Sequence, residues 1–143
     1  MGTAPRVLKF EIRSDEAAAR KVHRAILAEV KRRRFDADAL FAIRLSLGEA
    51  LTNAIKHGNQ RAPHKLVRVE AKIADDQIEI IVEDEGCGFD RAAIPNPTLD
   101  ENLIKPSGRG IHLIETYMDE VHWSHGGRCL KMIRRNGSRR KLE

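Results

Sequence analysis

The sequence contains few cysteines and few aromatic residues, and it has no long apolar run. Its two cysteines, Cys87 and Cys129, provide no disulfide framework, and we expect both to be free thiols in a reducing compartment. No apolar run reaches the roughly 18 residues that a transmembrane helix needs. Residues 1–12 lack the basic segment and apolar stretch of a secretory signal. We therefore expect a cytoplasmic protein with no membrane partner.

Common nucleotide-binding motifs are also missing. No glycine-rich stretch ends in Lys-Ser or Lys-Thr, which excludes a Walker-type phosphate loop. Gly108 and Gly110 lack the third glycine of a dinucleotide fingerprint and do not follow a predicted strand. The catalytic motifs of protein kinases are absent as well. A nucleotide would have to bind this chain in another way.

Length and charge limit what remains. A chain of 143 residues, 41% of them hydrophobic, predicts a single domain over residues 1–143. With only 4% aromatic residues, aliphatic side chains must fill its core. The net charge of +5 comes largely from residues 31–34 and from a basic C-terminal tail at about residues 136–143. Because no aromatic residues are interleaved with these charges, direct nucleic-acid binding is disfavoured.

Hydrophobic periodicity predicts the order of the elements. A strand at residues 6–13 precedes two helices, which Ser14 or Asp15 and Asp36 or Asp38 would cap. A hairpin, a long loop, a third helix and two closing strands follow. The order β-α-α-β-β-loop-α-β-β predicts an α+β fold, a two-layer sandwich with three helices on one face of a mostly antiparallel, mixed sheet. The later elements are predicted at residues 66–73 and 77–82 for the hairpin, 84–107 for the loop, 110–118 for the helix, and 121–125 and 129–134 for the closing strands.

Three polar residues follow one side of the second predicted helix. Glu49, Asn53 and His57 are spaced four residues apart, so their side chains line up beside the apolar stripe. Carboxylate and amide oxygens suit Mg²⁺, which prefers hard oxygen ligands. For this helix alone, an ordinary solvated surface explains the same pattern.

Two further segments combine polar residues with glycines. Asp84 follows a hydrophobic strand and precedes Gly86 and Gly88, so its carboxylate could receive an amino-bearing base. An acidic turn is the alternative interpretation. Ser107 and the glycines at 108 and 110 open the third helix, whose free N–H groups would attract an anion, and Arg109 adds a fixed charge.

The three segments together resemble the N, G1 and G2 boxes of GHKL-type ATPases. Glu-x-x-x-Asn, Asp-x-Gly-x-Gly and Ser-Gly-x-Gly occur here in the order of that superfamily. The chain is most similar to its stand-alone branch, the anti-sigma-factor serine/threonine kinases of bacterial partner-switching systems, and residues 110–121 carry much of this similarity. The resemblance implies the Bergerat ATP-binding fold, with ATP and Mg²⁺ as cofactors.

The resemblance also implies a role for individual residues. Asn53 would bind the Mg²⁺ ion that bridges the triphosphate, and Glu49 would act as general base on the attacking hydroxyl. Asp84 would accept a hydrogen bond from the adenine amino group. Gly86 and Gly88 would let backbone pack closely near the base.

Phosphate binding is implied for the third segment. Ser107, Gly108 and Gly110 would cradle the phosphates, and about residues 89–107 would form a lid over the nucleotide. His57 falls on a position of the N box, without a definite role.

The implied function is phosphorylation of an anti-anti-sigma antagonist protein together with sequestration of a sigma factor, by a homodimer. Two departures bear on this function. Pro106 stands where kinases of this branch carry an arginine, and Arg109 could substitute for that arginine. Arg128 and Cys129 occupy the region where the family has a threonine that supports adenine recognition. A non-catalytic, nucleotide-dependent protein-binding module is therefore the alternative. A small basic nucleic-acid-binding protein is a second, more distant alternative.

The sequence disfavours a zinc site. Its ligands would be His122, His125, Cys129 and Cys87, but residues 122 and 125 of one strand point to opposite faces of a sheet.

Overall fold

The computed structural model describes residues 4–86 and 108–137, which form five strands and three α-helices. Two short helical turns lie among them, a π-helical turn and a 3₁₀ turn. In chain order the elements are β1 (Arg6–Arg13), α1 (Glu16–Arg32), α2 (Ala37–Thr52), the π-helical turn (Asn53–Gly58), β2 (Leu66–Ile73), β3 (Gln77–Glu83), α3 (Gly108–Tyr117), β4 (Glu120–Ser124), the 3₁₀ turn (His125–Gly127) and β5 (Cys129–Arg135).

Aspartate side chains cap the first two helices. Asp15 precedes α1 and accepts hydrogen bonds from the backbone N–H groups of Ala17 and Ala18, at 3.1 and 3.3 Å. Asp36 precedes α2 and accepts one from Ala39 at 2.9 Å. Each cap satisfies N–H groups that have no partner within the helix. One of the two capping candidates at each helix is thereby confirmed.

The strands pair in the order β1-β2-β3-β5-β4, and every pair is antiparallel. Side chains alternate between two faces of this sheet. Ala71, Ile80 and Met132 lie side by side on one face and are fully buried. Their neighbours Lys72 and Glu79 lie on the other face, which we call the open face. The apolar alternation of the strands therefore decides which face the helices cover.

The helices pack on the apolar face. α1 contacts β1 and β2, while α2 contacts α1, β5 and α3. Ile43 and Leu47 of α2 are completely buried, and Phe41 meets the Tyr117 ring edge-on with 5.6 Å between centroids. The predicted α+β sandwich with three helices on one face is confirmed, and the sheet within the described residues is wholly antiparallel rather than mixed.

Several element boundaries differ from the predicted ones by one or two residues. α3 begins at Gly108, two residues before the predicted start. Asn136, predicted in the basic tail, is buried and joins three segments: it accepts a hydrogen bond from Asp36 N and donates to the carbonyls of Arg34 and Asp75. Residues 138–143 and the predicted lid lie outside the described residues. None of the described helices is long and apolar enough to cross a bilayer.

Candidate functional site

The helical path of α2 continues beyond Thr52 as a π-helical turn. The N–H of Asn53 donates to the carbonyls of both Glu49 and Ala50, where the hydrogen-bonding pattern changes. π-helical turns occur frequently at functional sites, since they insert an extra residue into the helical path. The turn carries Asn53 and His57, and Glu49 lies one turn earlier on α2. The three residues predicted to line one side therefore span a change in helix type.

The side-chain amide of Asn53 is buried and unsatisfied. Among the described residues, neither its nitrogen nor its oxygen has a hydrogen-bond partner. Leaving a buried polar group without a partner costs about 1–3 kcal/mol. Such an amide is therefore ready to accept partners from outside the described chain, and its oxygen is a donor atom of the kind that Mg²⁺ prefers. The site fits the predicted metal on this observation.

Asp84 lies directly against the end of the π-helical turn. Its Oδ1 accepts a hydrogen bond from Gly86 N at 2.8 Å, and both carboxylate oxygens lie next to the α-carbon of Gly58. Burial raises the pKa of Asp84 above its ordinary value, while the Gly86 hydrogen bond and the Arg128 charge act in the opposite direction. This partly desolvated carboxylate can accept a hydrogen bond from an amino group.

The loop after β3 is also in contact with the π-helical turn. Gly86 packs on the carbonyl oxygen of Gly58 so closely that a Cβ at position 86 would overlap this oxygen. A Cβ on Gly58 would likewise overlap the Asp84 carboxylate. Two segments that are far apart in sequence therefore meet through their glycines.

His57 is half-buried in the same turn. Burial lowers its pKa, and the nearby positive charges of Lys56 and Arg61 lower it further. The imidazole is therefore neutral at pH 7 and can both donate and accept a hydrogen bond.

Asn59 is a residue of this region that the sequence did not single out. It is fully buried, and its Nδ2 donates to Ser14 Oγ at 3.0 Å and to the Leu66 carbonyl at 2.9 Å. Its Oδ1 accepts from Glu85 N at 2.7 Å. Asn59 thus ties the residue after Asp84 to the start of β2 and to the loop before α1. Its place directly after Gly58 was the only available signal.

α3 presents the third segment. It packs on α2, and its last residue, Tyr117, contacts Phe41 near the start of α2. Gly110 is buried in this first turn and Arg109 is exposed. Gly108 is the first residue of the helix. Ser107 and Gly88 lie outside the described residues, so their roles stay predictions.

The structure therefore brings together the π-helical turn and the Asp84–Gly86 segment, with α3 packed on the helix that leads to them. The comparison with known families agrees with this arrangement. Residues 12–134 match the histidine kinase-like ATPase domain. The chain belongs to this family. As a histidine kinase-like ATPase domain, it binds ATP.

Curated relatives of this ATPase domain are named anti-sigma F factors and a serine-protein kinase. An anti-sigma F factor of Clostridium beijerinckii is 34% identical over 117 residues, which is 80% of each chain. The serine-protein kinase RsbW of Bacillus subtilis is 31% identical over 112 residues, 71% of this chain and 69% of that protein. An anti-sigma F factor of Oceanobacillus iheyensis is 41% identical over 87 residues, and the match spans 59% of its length.

A solved structure shares the fold. The chain with the RsbU and RsbW domains of Rv1364c from Mycobacterium tuberculosis superposes with a TM-score of 0.57 at 20% identity, covering 94% of this chain and 32% of the other. The predicted family and its class of function, that of ATP-binding anti-sigma kinases, are confirmed by these comparisons.

Proposed function

We propose that the Asn53 and Asp84 regions form one nucleotide site, and that the protein uses ATP bound there to phosphorylate a serine or threonine of an anti-anti-sigma antagonist. The observation that carries this proposal is the buried amide of Asn53, unpartnered among the described residues, in a turn whose end contacts Asp84. The proposal takes the whole chain as a single ATPase domain.

The adenine end of the site is assigned to Asp84. Its carboxylate accepts a hydrogen bond from Gly86 N and packs against Gly58. The carboxylate is therefore ordered before a base binds, which lowers the entropic cost of binding. Accepting a hydrogen bond from the exocyclic amino group distinguishes adenine from guanine, which carries a carbonyl at the equivalent carbon. Gly86 keeps the backbone close to this contact.

The metal and phosphate end is assigned to Asn53 and the first turn of α3. Asn53 would hold Mg²⁺ through its amide oxygen, and the ion would neutralise charge on the triphosphate. The first turn of α3, at Gly108 and Gly110, would bind phosphate oxygens, as helix N-termini do. Arg109, exposed in the same turn, adds a positive charge. His57, neutral and half-buried, is available for a hydrogen bond near the metal.

Glu49 is assigned as the general base. It is half-buried on α2, one turn before Asn53, so its carboxylate would lie near the metal end of the proposed site. There it would take the proton from the attacking serine or threonine hydroxyl while the γ-phosphoryl group is transferred. ADP and the phosphorylated antagonist are the products.

The proposed partners are the antagonist, as substrate, and a sigma factor that the kinase sequesters as a homodimer. These partners fit relatives named anti-sigma F factor and serine-protein kinase. A purely nucleotide-dependent binding module is the second candidate. It is favoured by Pro106, which stands where an arginine is expected beside the phosphates.

Phosphate transfer from γ-labelled ATP to a cognate antagonist tests the proposal. Wild-type protein should label the antagonist, and Glu49→Gln should reduce the transfer rate by at least about a hundredfold while leaving ATP affinity within about twofold. Glu70→Gln, an exposed carboxylate on the open face, is the matched control and should transfer normally. Undiminished transfer by Glu49→Gln would remove this residue as base. ATP binding without transfer by the wild type would favour the binding module.

A further inference from the structure

A second cluster of chemically reactive side chains lies on the open face of the sheet. Glu83, His125 and Cys129 each contribute one ligand atom, and these three atoms lie within 4.8 Å of one another. His125 Nδ1 lies 3.8 Å from a Glu83 carboxylate oxygen. We propose that these residues form a binding site for Zn²⁺ or a similar thiophilic divalent ion.

The fold places two of the ligands by strand register. Glu83 is the last residue of β3 and Cys129 the first of β5, and the two are direct cross-strand partners. Partners in an antiparallel pair share one face of the sheet, with Cβ atoms about 4.5–5.5 Å apart. Glu83 and Cys129 therefore point together onto the open face.

His125 reaches the pair because β4 ends before it. The strand stops at Ser124, and His125 begins the 3₁₀ turn with a φ of 52°, followed by positive φ at Gly126 and Gly127. Strand alternation, which disfavoured a shared site for His122 and His125, therefore does not extend to residue 125. The turn returns the chain to Cys129 four residues later and brings the imidazole beside Glu83.

Thiolate sulfur, imidazole nitrogen and carboxylate oxygen are the ligands that Zn²⁺ uses in proteins. With bonds of about 2.0–2.3 Å, tetrahedral geometry places ligand atoms roughly 3.3–3.8 Å apart. Small side-chain rotations on an exposed surface suffice to reach this spacing from 4.8 Å or less. One thiolate and one carboxylate balance the charge of the ion, and a fourth position remains for water.

Among the described residues, Arg68 and Arg128 are the cations whose contacts with these ligand residues are measured, and both contacts leave room for an ion. Arg68 NH1 is 3.9 Å from a Glu83 oxygen, but its Nε makes the shorter contact, 3.1 Å, with Glu11. Arg128 donates its Nε proton to the His125 carbonyl rather than to the imidazole, whose Nδ1 makes a long contact of 3.4 Å with Ser124 Oγ.

This site is separate from the nucleotide region. Glu83 faces the open side of the sheet, whereas Asp84, the next residue, lies against Gly58 beside the helices. A bound ion would connect β3, the turn and β5. It should therefore stabilise the native state by mass action, whether or not ATP is present.

Titration of the reduced, metal-free protein with Co²⁺ tests the proposal, since a thiolate ligand produces a near-ultraviolet charge-transfer band and tetrahedral sites produce intense visible bands. Wild-type protein should develop both the charge-transfer band and the visible bands at one Co²⁺ ion per chain. Adding Zn²⁺ should displace Co²⁺ and remove these bands. Cys129→Ser should abolish the charge-transfer band. His125→Gln and Glu83→Gln should weaken affinity by at least about tenfold.

Two matched controls separate this site from adventitious binding. His122→Gln removes the exposed neighbouring histidine, which pairs with Glu120 at 3.2 Å, and Cys87→Ser removes the other cysteine. Both should titrate like the wild type. Absence of the band in wild-type protein, its survival in Cys129→Ser, or equal weakening in His122→Gln would each overturn the proposal.

Discussion

Gly86 rests on the carbonyl oxygen of Gly58, with no room between them for even a Cβ atom. This contact joins the loop that carries Asp84 to the turn that carries Asn53. Because the blocking atom belongs to the backbone, a side chain at position 86 cannot be accommodated by rotating a neighbour. The contact therefore fixes how the two halves of the proposed nucleotide site meet.

Gly86→Ala should separate these halves. We expect the free energy of unfolding to fall by about 2 kcal/mol, from overpacking, and ATP affinity to fall by at least tenfold. Gly48→Ala is the matched control. It lies within α2, where a new Cβ would meet, among the described residues, only His23 Nε2 at 3.7 Å, an ordinary contact. This substitution should stabilise the protein by about 0.5–1 kcal/mol and leave ATP affinity unchanged. Equal ATP affinities in the two variants would contradict the contact's proposed role.

Asn59→Ala should weaken both stability and nucleotide binding. Removing the Asn59 amide leaves the Leu66 carbonyl and the Glu85 N–H without their buried partner. The free energy of unfolding should therefore fall by about 2–3 kcal/mol. Asn136→Ala should destabilise by a similar amount, because that amide also makes three buried hydrogen bonds. Only Asn59→Ala should reduce ATP affinity, measured by calorimetry at a temperature where both variants are folded. A comparable loss in Asn136→Ala would indicate a general effect of stability.

Glu29→Gln should destabilise the protein away from the site. Glu29 is buried and accepts hydrogen bonds from the buried Arg33 and, at the rim, from Arg32 and Arg6. The neutral amide leaves the Arg33 guanidinium without this countercharge, although the glutamine oxygen can still accept a hydrogen bond. The free energy of unfolding should therefore fall by about 2 kcal/mol. Urea denaturation at pH 7 measures this difference.

The Glu29 contribution should also depend on pH. Its hydrogen bond from Arg32 lowers the pKa most, and with Arg33 it brings the value from 4.5 to about 2. Because the folded pKa is depressed, the stabilisation is fully present above about pH 4.5 and is lost as the pH falls towards 2. The wild type and Glu29→Gln should therefore converge in stability across this window. A constant difference between them would be inconsistent with the assignment.

Asp84→Asn should change stability and affinity in opposite directions. Burial raises the folded pKa of Asp84, so the native state binds more protons than the unfolded state between the ordinary and the raised value. Wild-type stability therefore falls as the pH rises through that window, and the neutral variant should be more stable at pH 7. It should bind ATP at least about tenfold more weakly, since it loses a charged acceptor for the adenine amino group. A variant that is less stable yet binds ATP normally would contradict both assignments.

Much of the fold could be predicted from sequence because its signals are local. Asp15 and Asp36 precede apolar stripes, and strict alternation in β2 decides its buried face. The order of the glycine-bearing segments was sufficient to indicate the family. Each cap, stripe and glycine-bearing segment is a short stretch of chain, so a single sequence contains these signals and their order.

The remaining features depend on contacts between distant segments. The π-helical turn at Asn53–Gly58 follows a regular helical pattern, and only its packing against Asp84 and Gly86 distinguishes it. Asn59 and Asn136 look like loop and tail residues until the chain folds around them. The sequence pattern predicts strand geometry for His125, but its positive φ depends on the tight turn to β5.

The most direct test is a thermal-shift titration of Asn53→Ala with Mg-ATP. Because the replaced amide is buried and unpartnered among the described residues, the variant without nucleotide should melt no lower than the wild type. At a hundred times the dissociation constant, ATP should raise the wild-type Tm by roughly 5–10 °C. Thr52→Ala, at the exposed neighbouring position, should show the same rise, and Asn53→Ala should show almost none. An undiminished rise in Asn53→Ala would contradict the proposed site.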